Sequence, residues 1–172
     1  MIDPGQQDTL LELLNTTPVT NGTPTDELAD REAAKAWQKA HGGSGSGSTR
    51  ELAHLVQARD ALQEVVRGAR PATSLAPILE GVHSRPHLSP DGVTWELDVP
   101  AERRPAVEAV LAWSALQKAK PGRLRPCANP ECRLFLLDRS KTNRARWCSM
   151  AVCGNRMKAR RHYQRTRDGV AE

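Results

Sequence analysis

Four cysteines are the only ones in the 172-residue chain, and they stand at Cys127, Cys132, Cys148 and Cys153, two C-x4-C pairs separated by fifteen residues. Thiolates spaced in this way can converge on one ion. Zinc takes four ligands tetrahedrally, and a shell closed by four cysteines is of the structural rather than the catalytic kind. Each pair needs a turn, and Pro130 and Gly154 are residues that make turns. Two disulfides would use the same residues, but disulfides belong to oxidising compartments. The amino-terminal MIDPGQQDTLLELLNTT has neither the basic start nor the long apolar run of a secretory signal. Soft thiolate ligands admit iron as a minor competitor; the expected cofactor is Zn2+.

Charge is segregated around these cysteines. Residues 121 to 172 hold 13 Lys and Arg against 4 Asp and Glu, whereas residues 1 to 120 hold 12 against 16, so the net +5 conceals an acidic part and a basic part. A basic end of this kind is suited to a polyanion, although a solvated basic face without a partner has the same composition. On a helix from about Gly154 to Thr166, Lys158, Arg161 and Arg165 fall at i, i+3 and i+7 and form a ridge. Arg156, Arg160 and Arg167 widen it, and Lys141, Arg144 and Arg146 extend it through the preceding loop. Such cations position a protein on phosphates, and arginine can also read guanine. Asn155 and Arg156, in the first helical turn, can instead cap backbone or hydrogen-bond to sulfur and carbonyls around the metal. Phe135, Trp147 and Tyr163 are expected to form a mini-core beside the ion.

Trp147-Cys148-Ser149, then Cys153-Gly154-Asn155-Arg156 and the basic Lys158-Ala159-Arg160-Arg161-His162-Tyr163, resemble the bacterial CGNR zinc-finger family. Cys127-Ala128-Asn129-Pro130-Glu131-Cys132 and Leu137-Asp138-Arg139-Ser140 follow the same pattern, and Leu13-Leu14-Asn15-Thr16 resembles the family's early leucine-asparagine-threonine signature. The resemblance implies a treble-clef-like zinc module, taken to bind DNA, behind an amino-terminal ABATE domain, in proteins held to be stress-related transcription regulators.

The elements that must carry these residues follow from pattern. The expected class is α+β: a mainly helical amino-terminal domain over 1–120 with a small β-hairpin, then a four-cysteine zinc-finger domain over 121–172. Asp8 can cap a helix bearing Leu10 to Leu14, closed by Asn15. Thr23 with Pro24 reads as the start of a helix through Trp37 and Ala40, stopped at Gly42. The glycine-serine stretch 42–48 is flexible by composition, either a natural loop or an inserted linker. Ser48 and Glu51 form a capping box ahead of an amphipathic helix ended by Gly68, with His54 off its apolar stripe. Val93, Trp95, Leu97 and Val99 alternate with polar residues after a Ser89-Pro90-Asp91-Gly92 turn, which predicts a hairpin with His83 to Leu88. Its His83 and His87 need no metal. Pro105 opens a helix apolar nearly all round, and Lys118 to Gly122 form the hinge to the finger.

The expected function is a zinc-dependent DNA-binding transcription regulator, soluble and cytoplasmic, with no membrane span. The amino-terminal domain would sense a small-molecule effector or form a homodimer. A zinc-stabilised RNA-binding or protein-interaction module is the alternative, because basic charge alone does not choose between them. No catalytic residue is expected: the metal shell is closed, and His162 lies in the basic helix without an evident partner.

Overall fold

The structure is a computed structural model that describes residues 4–41 and 46–168. Three helices make the frame: α1 (Pro4–Leu14), α3 (Thr49–Val66) and α5 (Arg104–Ala119). Leu10, Leu13 and Leu14 of α1, Leu55, Ala58 and Leu62 of α3, and Ala106, Val107, Val110 and Leu116 of α5 close one apolar core. Spacing at i, i+3 and i+4 puts each set on one helix face. α5 lies between α1 and α3, as its broad apolar surface requires. No helix among the described residues is long and apolar enough to cross a membrane.

α3 starts where its capping box predicts. The Ser48 hydroxyl accepts from the Glu51 amide at 3.2 Å. The Glu51 carboxylate does not reach back to Ser48. It is buried and accepts instead from Gln38 Nε2 at 2.5 Å and from the amide and hydroxyl of Ser46 at 2.6 and 2.8 Å. Arg31 Nε donates to the Gly47 carbonyl at 2.7 Å, so the end of the glycine-serine stretch is tied down; residues 42–45, including the expected stop at Gly42, lie outside the described residues. At the far end Gly68, at φ 75°, adopts the left-handed turn that lets its amide reach Val65 and the Ala69 amide reach Glu64.

Two local expectations need correction. α2 (Arg31–Ala40) begins later than the Thr23–Pro24 signal, because Asp30 caps it through a 2.8 Å bond from the Ala33 amide. Thr23 and Pro24 form β2 and pair with β1 (Val19–Thr20) across Asn21 and Gly22, both at positive φ. Asp8 lies inside α1 and does not start it.

A one-turn helix, α4 (Ala76–Leu79), precedes the predicted hairpin of β3 (His83–Ser89) and β4 (Gly92–Asp98). The hairpin forms but is not half-buried: Leu88, Val93 and Trp95 are 87, 59 and 68% exposed. Only its base, at Leu97 and the following Val99, packs on the core.

The finger begins with β5 (Leu124–Pro126), which pairs with β6 (Phe135–Leu137), and ends in α6 (Asn155–Asp168). No strand forms on the approach to Trp147. β5 is the strand beside β6, and a backbone bond from the Ala128 amide to the Arg146 carbonyl at 2.8 Å ties the later loop to the first cysteine turn. Phe135, 1% exposed, enters the helical core rather than a separate mini-core. The residues at Lys118 to Gly122 therefore make a turn between packed parts, with Gly122 at φ 69°.

Candidate metal centre and basic helix

Two turns deliver the sulfurs. In the first, Asn129 Oδ1 accepts from the Glu131 amide at 3.2 Å, curling Cys127 and Cys132 toward each other. In the second, the Ser149 hydroxyl accepts from the Val152 amide and a π turn over Met150–Gly154 feeds α6. Gly154 is buried where a β-carbon would come within 2.8 Å of Met150 Sδ and 3.3 Å of Trp147 Cδ1, so its missing side chain allows close packing there.

All four Sγ atoms lie within 4.8 Å of one another. Cys132 and Cys148 are 3.7 Å apart and Cys148 and Cys153 3.6 Å, far beyond the roughly 2.05 Å of a disulfide. A tetrahedron with sulfur at roughly 2.3 Å from its centre has an edge of about 3.8 Å. The donor set thus fits a metal ion.

Three sulfurs also receive N–H groups: Cys127 from the Cys148 amide, Cys132 from the Leu134 amide and Cys153 from Asn129 Nδ2, at 3.4, 3.5 and 3.4 Å. Burial pushes the Cys132 thiol up to about 11, and burial with the neighbouring thiols lifts Cys148 further. Cys153 is shifted the other way: against its burial, the Asn129 bond and the surrounding thiols lower it. Ionising all four together requires a cation among them, and metal binding supplies one as it displaces the protons.

Asn129, 1% exposed, holds a backbone turn and the Cys153 sulfur at once, a role that the sequence does not announce. Asp138 is as little announced. Its carboxylate accepts from the Ser140 and Ala145 amides at 2.9 and 2.7 Å and from Arg125 at 2.8 Å, closing the loop that carries Lys141 and Arg144. The Ser140 side chain first, then these amides and the Arg125 charge, outweigh burial and bring its pKa down to about 2. An Asp followed by a polar loop of several residues is the only sequence signal for it.

The basic residues are all exposed: Lys141, Arg144 and Arg146 on the loop, and Arg156, Lys158, Arg160, Arg161, Arg165 and Arg167 on α6. They are not equivalent. Arg160 pairs with Glu131 at 3.1 Å and Arg156 approaches the same carboxylate at 4.0 Å, which anchors the start of α6 to the first cysteine turn. Lys158, Arg161 and Arg165 pair with no carboxylate among the described residues. Arg146 lies 5.2 Å from the Trp147 ring. Asn155 Nδ2 donates to the Ala151 carbonyl at 3.2 Å, within the turn that carries Cys153. Tyr163 does not pack beside the four sulfurs. It is 71% exposed and edge-on to His162, because the later turns of α6 run clear of the rest of the finger.

A family model described as CGNR zinc finger matches residues 123–166. A second, ABATE, described as "Putative stress-induced transcription regulator", matches residues 7–125. A comparison with curated proteins finds no match. With a match over well more than half of its length, in front of a cysteine cluster built to hold a metal, the chain belongs to the ABATE family and carries a CGNR zinc finger.

Proposed function

We propose that the protein is a zinc-dependent DNA-binding transcription regulator of the cytoplasm, in which the metal holds α6 rigid and the Lys158–Arg161–Arg165 ridge lies against the phosphate backbone. The observation that carries this reading is that ridge. These cations lie on one exposed helix and have no acidic partner among the described residues, beside a carboxylate that has already taken up Arg156 and Arg160. A solvated face needs no such separation of paired from unpaired cations. Zinc supports the geometry because, among the described residues past Leu136, no apolar side chain other than Cys153 is buried, which leaves the turn before α6 with little else to hold it. Roughly 10 to 16 kcal/mol of apparent zinc binding in small fingers becomes folding free energy. The loop cations Lys141, Arg144 and Arg146 widen the positive surface, and Arg156 and Arg160 orient the helix.

Recovery of genomic fragments by the zinc-loaded protein, compared with a Cys148→Ser variant and scored for DNA and RNA separately, tests the reading. Duplex DNA enriched by the first and lost with the second is the expected result. Enrichment of RNA alone, or equal recovery by both proteins, contradicts it.

A further inference from the structure

The β3–β4 hairpin stands out from the core with an apolar face bare. Pro90 and Asp91 form its two-residue loop, so Ser89 and Gly92 make the hydrogen-bonded pair next to the turn, and bonded and non-bonded pairs alternate from there. Leu88–Val93, Pro86–Trp95 and Ser84–Leu97 are then the non-bonded pairs. Their side chains share one face, and their backbone groups point out of the ribbon.

The two outer edges differ. On β3, Pro86 stands mid-strand and has no N–H to offer, the usual way of closing an edge. On β4, the N–H and C=O of Val93 and Trp95 have no partner among the described residues, while the Leu97 carbonyl already accepts from Arg104 at 3.0 Å. The free part of the edge therefore runs from Gly92 to Glu96.

We propose that two copies of this chain associate through β4, each strand pairing antiparallel with its two-fold equivalent about Thr94. Val93 then lies opposite Trp95 of the second copy and exchanges both backbone hydrogen bonds with it. Centring on Trp95 would require the Leu97 carbonyl that Arg104 occupies. Centring on Thr94 also sorts the charges. Glu96 faces Gly92, not another carboxylate, and Asp91, which makes no ion pair among the described residues, comes opposite Leu97 of the second copy, where Arg104 waits. This self-complementarity argues for a second copy over an unrelated protein as the occupant. Leu88, Val93 and Trp95 of both chains become one apolar face on a four-stranded sheet. Pairing along so short an edge falls in the interface class below about 1,200 Å², so association depends on concentration.

Sedimentation velocity on the zinc-loaded full chain, from about 1 to about 200 μM, tests it. Wild type is expected to pass from monomer to dimer across that range. Val93→Pro removes an outward N–H without touching the hairpin's own ladder, and Trp95→Lys keeps the backbone but charges the face; either variant, shown folded by circular dichroism, stays monomeric. Asp91→Arg and Arg104→Asp each weaken association about tenfold or more, by about 1.4 kcal/mol, and the double variant recovers it. A wild type that remains monomeric overturns the proposal, as does a folded Val93→Pro that associates normally. A double variant no better than the single ones overturns the register.

Discussion

The side-chain amide of Asn15 pairs with both backbone groups of Phe135: the Phe135 amide donates to Oδ1 at 2.7 Å and Nδ2 donates to the Phe135 carbonyl at 3.3 Å. One asparagine thus acts as an extra rung on the outer edge of β6, 120 positions away in the chain. Around it, Arg67 covers the Phe135 ring at 4.4 Å and donates to the Arg133 carbonyl at 2.8 Å, and Arg139 pairs with Asp8. The segment bearing Asn15 is itself gripped. Gln63 holds the Leu14 carbonyl and the Thr17 hydroxyl, and Arg59, 3% exposed, holds Thr16 and forks onto Asp26 at 2.6 and 3.0 Å. The finger and the helical domain share one folded body through these contacts.

Removing the Asn15 amide leaves two backbone groups of Phe135 unpaired at the junction. Asn15→Ala is expected to cost about 1–3 kcal/mol, and Asn15→Asp to lose the donor bond while keeping the acceptor. Urea unfolding of the full chain measures the loss. Hydrogen exchange localises it, with the Phe135 amide the first to lose protection.

Metal removal should reach beyond the finger for the same reason. A strong chelator, or Cys153→Ser, is expected to unfold the helix turn at Met150–Gly154 and lower the melting temperature of the helical domain, because Phe135 sits in its core. Calorimetry with and without zinc reads the coupling. Two independent transitions, with the helical one unmoved, would show that the junction carries none.

Acid acts on Asp138 in a definite window. Its folded pKa is about 2, below the ordinary 3.8, so the carboxylate contributes stability that is complete above about pH 4 and lost as the pH falls through about 2. The stability gap between wild type and Asp138→Asn is therefore expected to be constant above pH 4 and to close toward pH 2. Metal release in acid is common to both proteins and cancels in the difference.

Among the described residues, Glu131 is the carboxylate set against the basic helix, at both Arg156 and Arg160. Glu131→Gln removes a negative charge from the contact surface and frees both arginines. Binding to duplex DNA is expected to tighten severalfold at low salt, with a salt slope steeper by about one. Weaker binding would mean that Glu131 matters more for aiming α6 than for its charge.

Much of this was legible beforehand, and the limits have physical reasons. Equal C-x4-C spacing locates the four sulfurs, and capping residues with 3.6-residue periodicity locate α3 and α5, because these signals are local. The alternation in β4 announces a strand, but period two reports only that a face exists and not what covers it, so the exposure of Trp95 was unreadable. Thr23–Pro24 carries a helix-start signal that lost to the Asn21–Gly22 turn and to Asp30. The scarcity of apolar residues around Tyr163 points it to a core, whereas the position of α6 leaves it in water. The Asn15 clamp was hidden most deeply, since asparagine after a leucine helix ordinarily closes that helix, and no local pattern points to a strand 120 residues on.

The ridge on α6 is tested most directly by fluorescence anisotropy on a labelled duplex of about 30 base pairs, titrated from about 50 to about 300 mM salt. If about six phosphates are neutralised, log K falls with log salt at a slope near −5, and replacing Lys158, Arg161 and Arg165 together by Gln flattens it by about three. A nearly flat salt dependence, or a triple variant that binds as the wild type does, would contradict the assignment of that helix to nucleic acid.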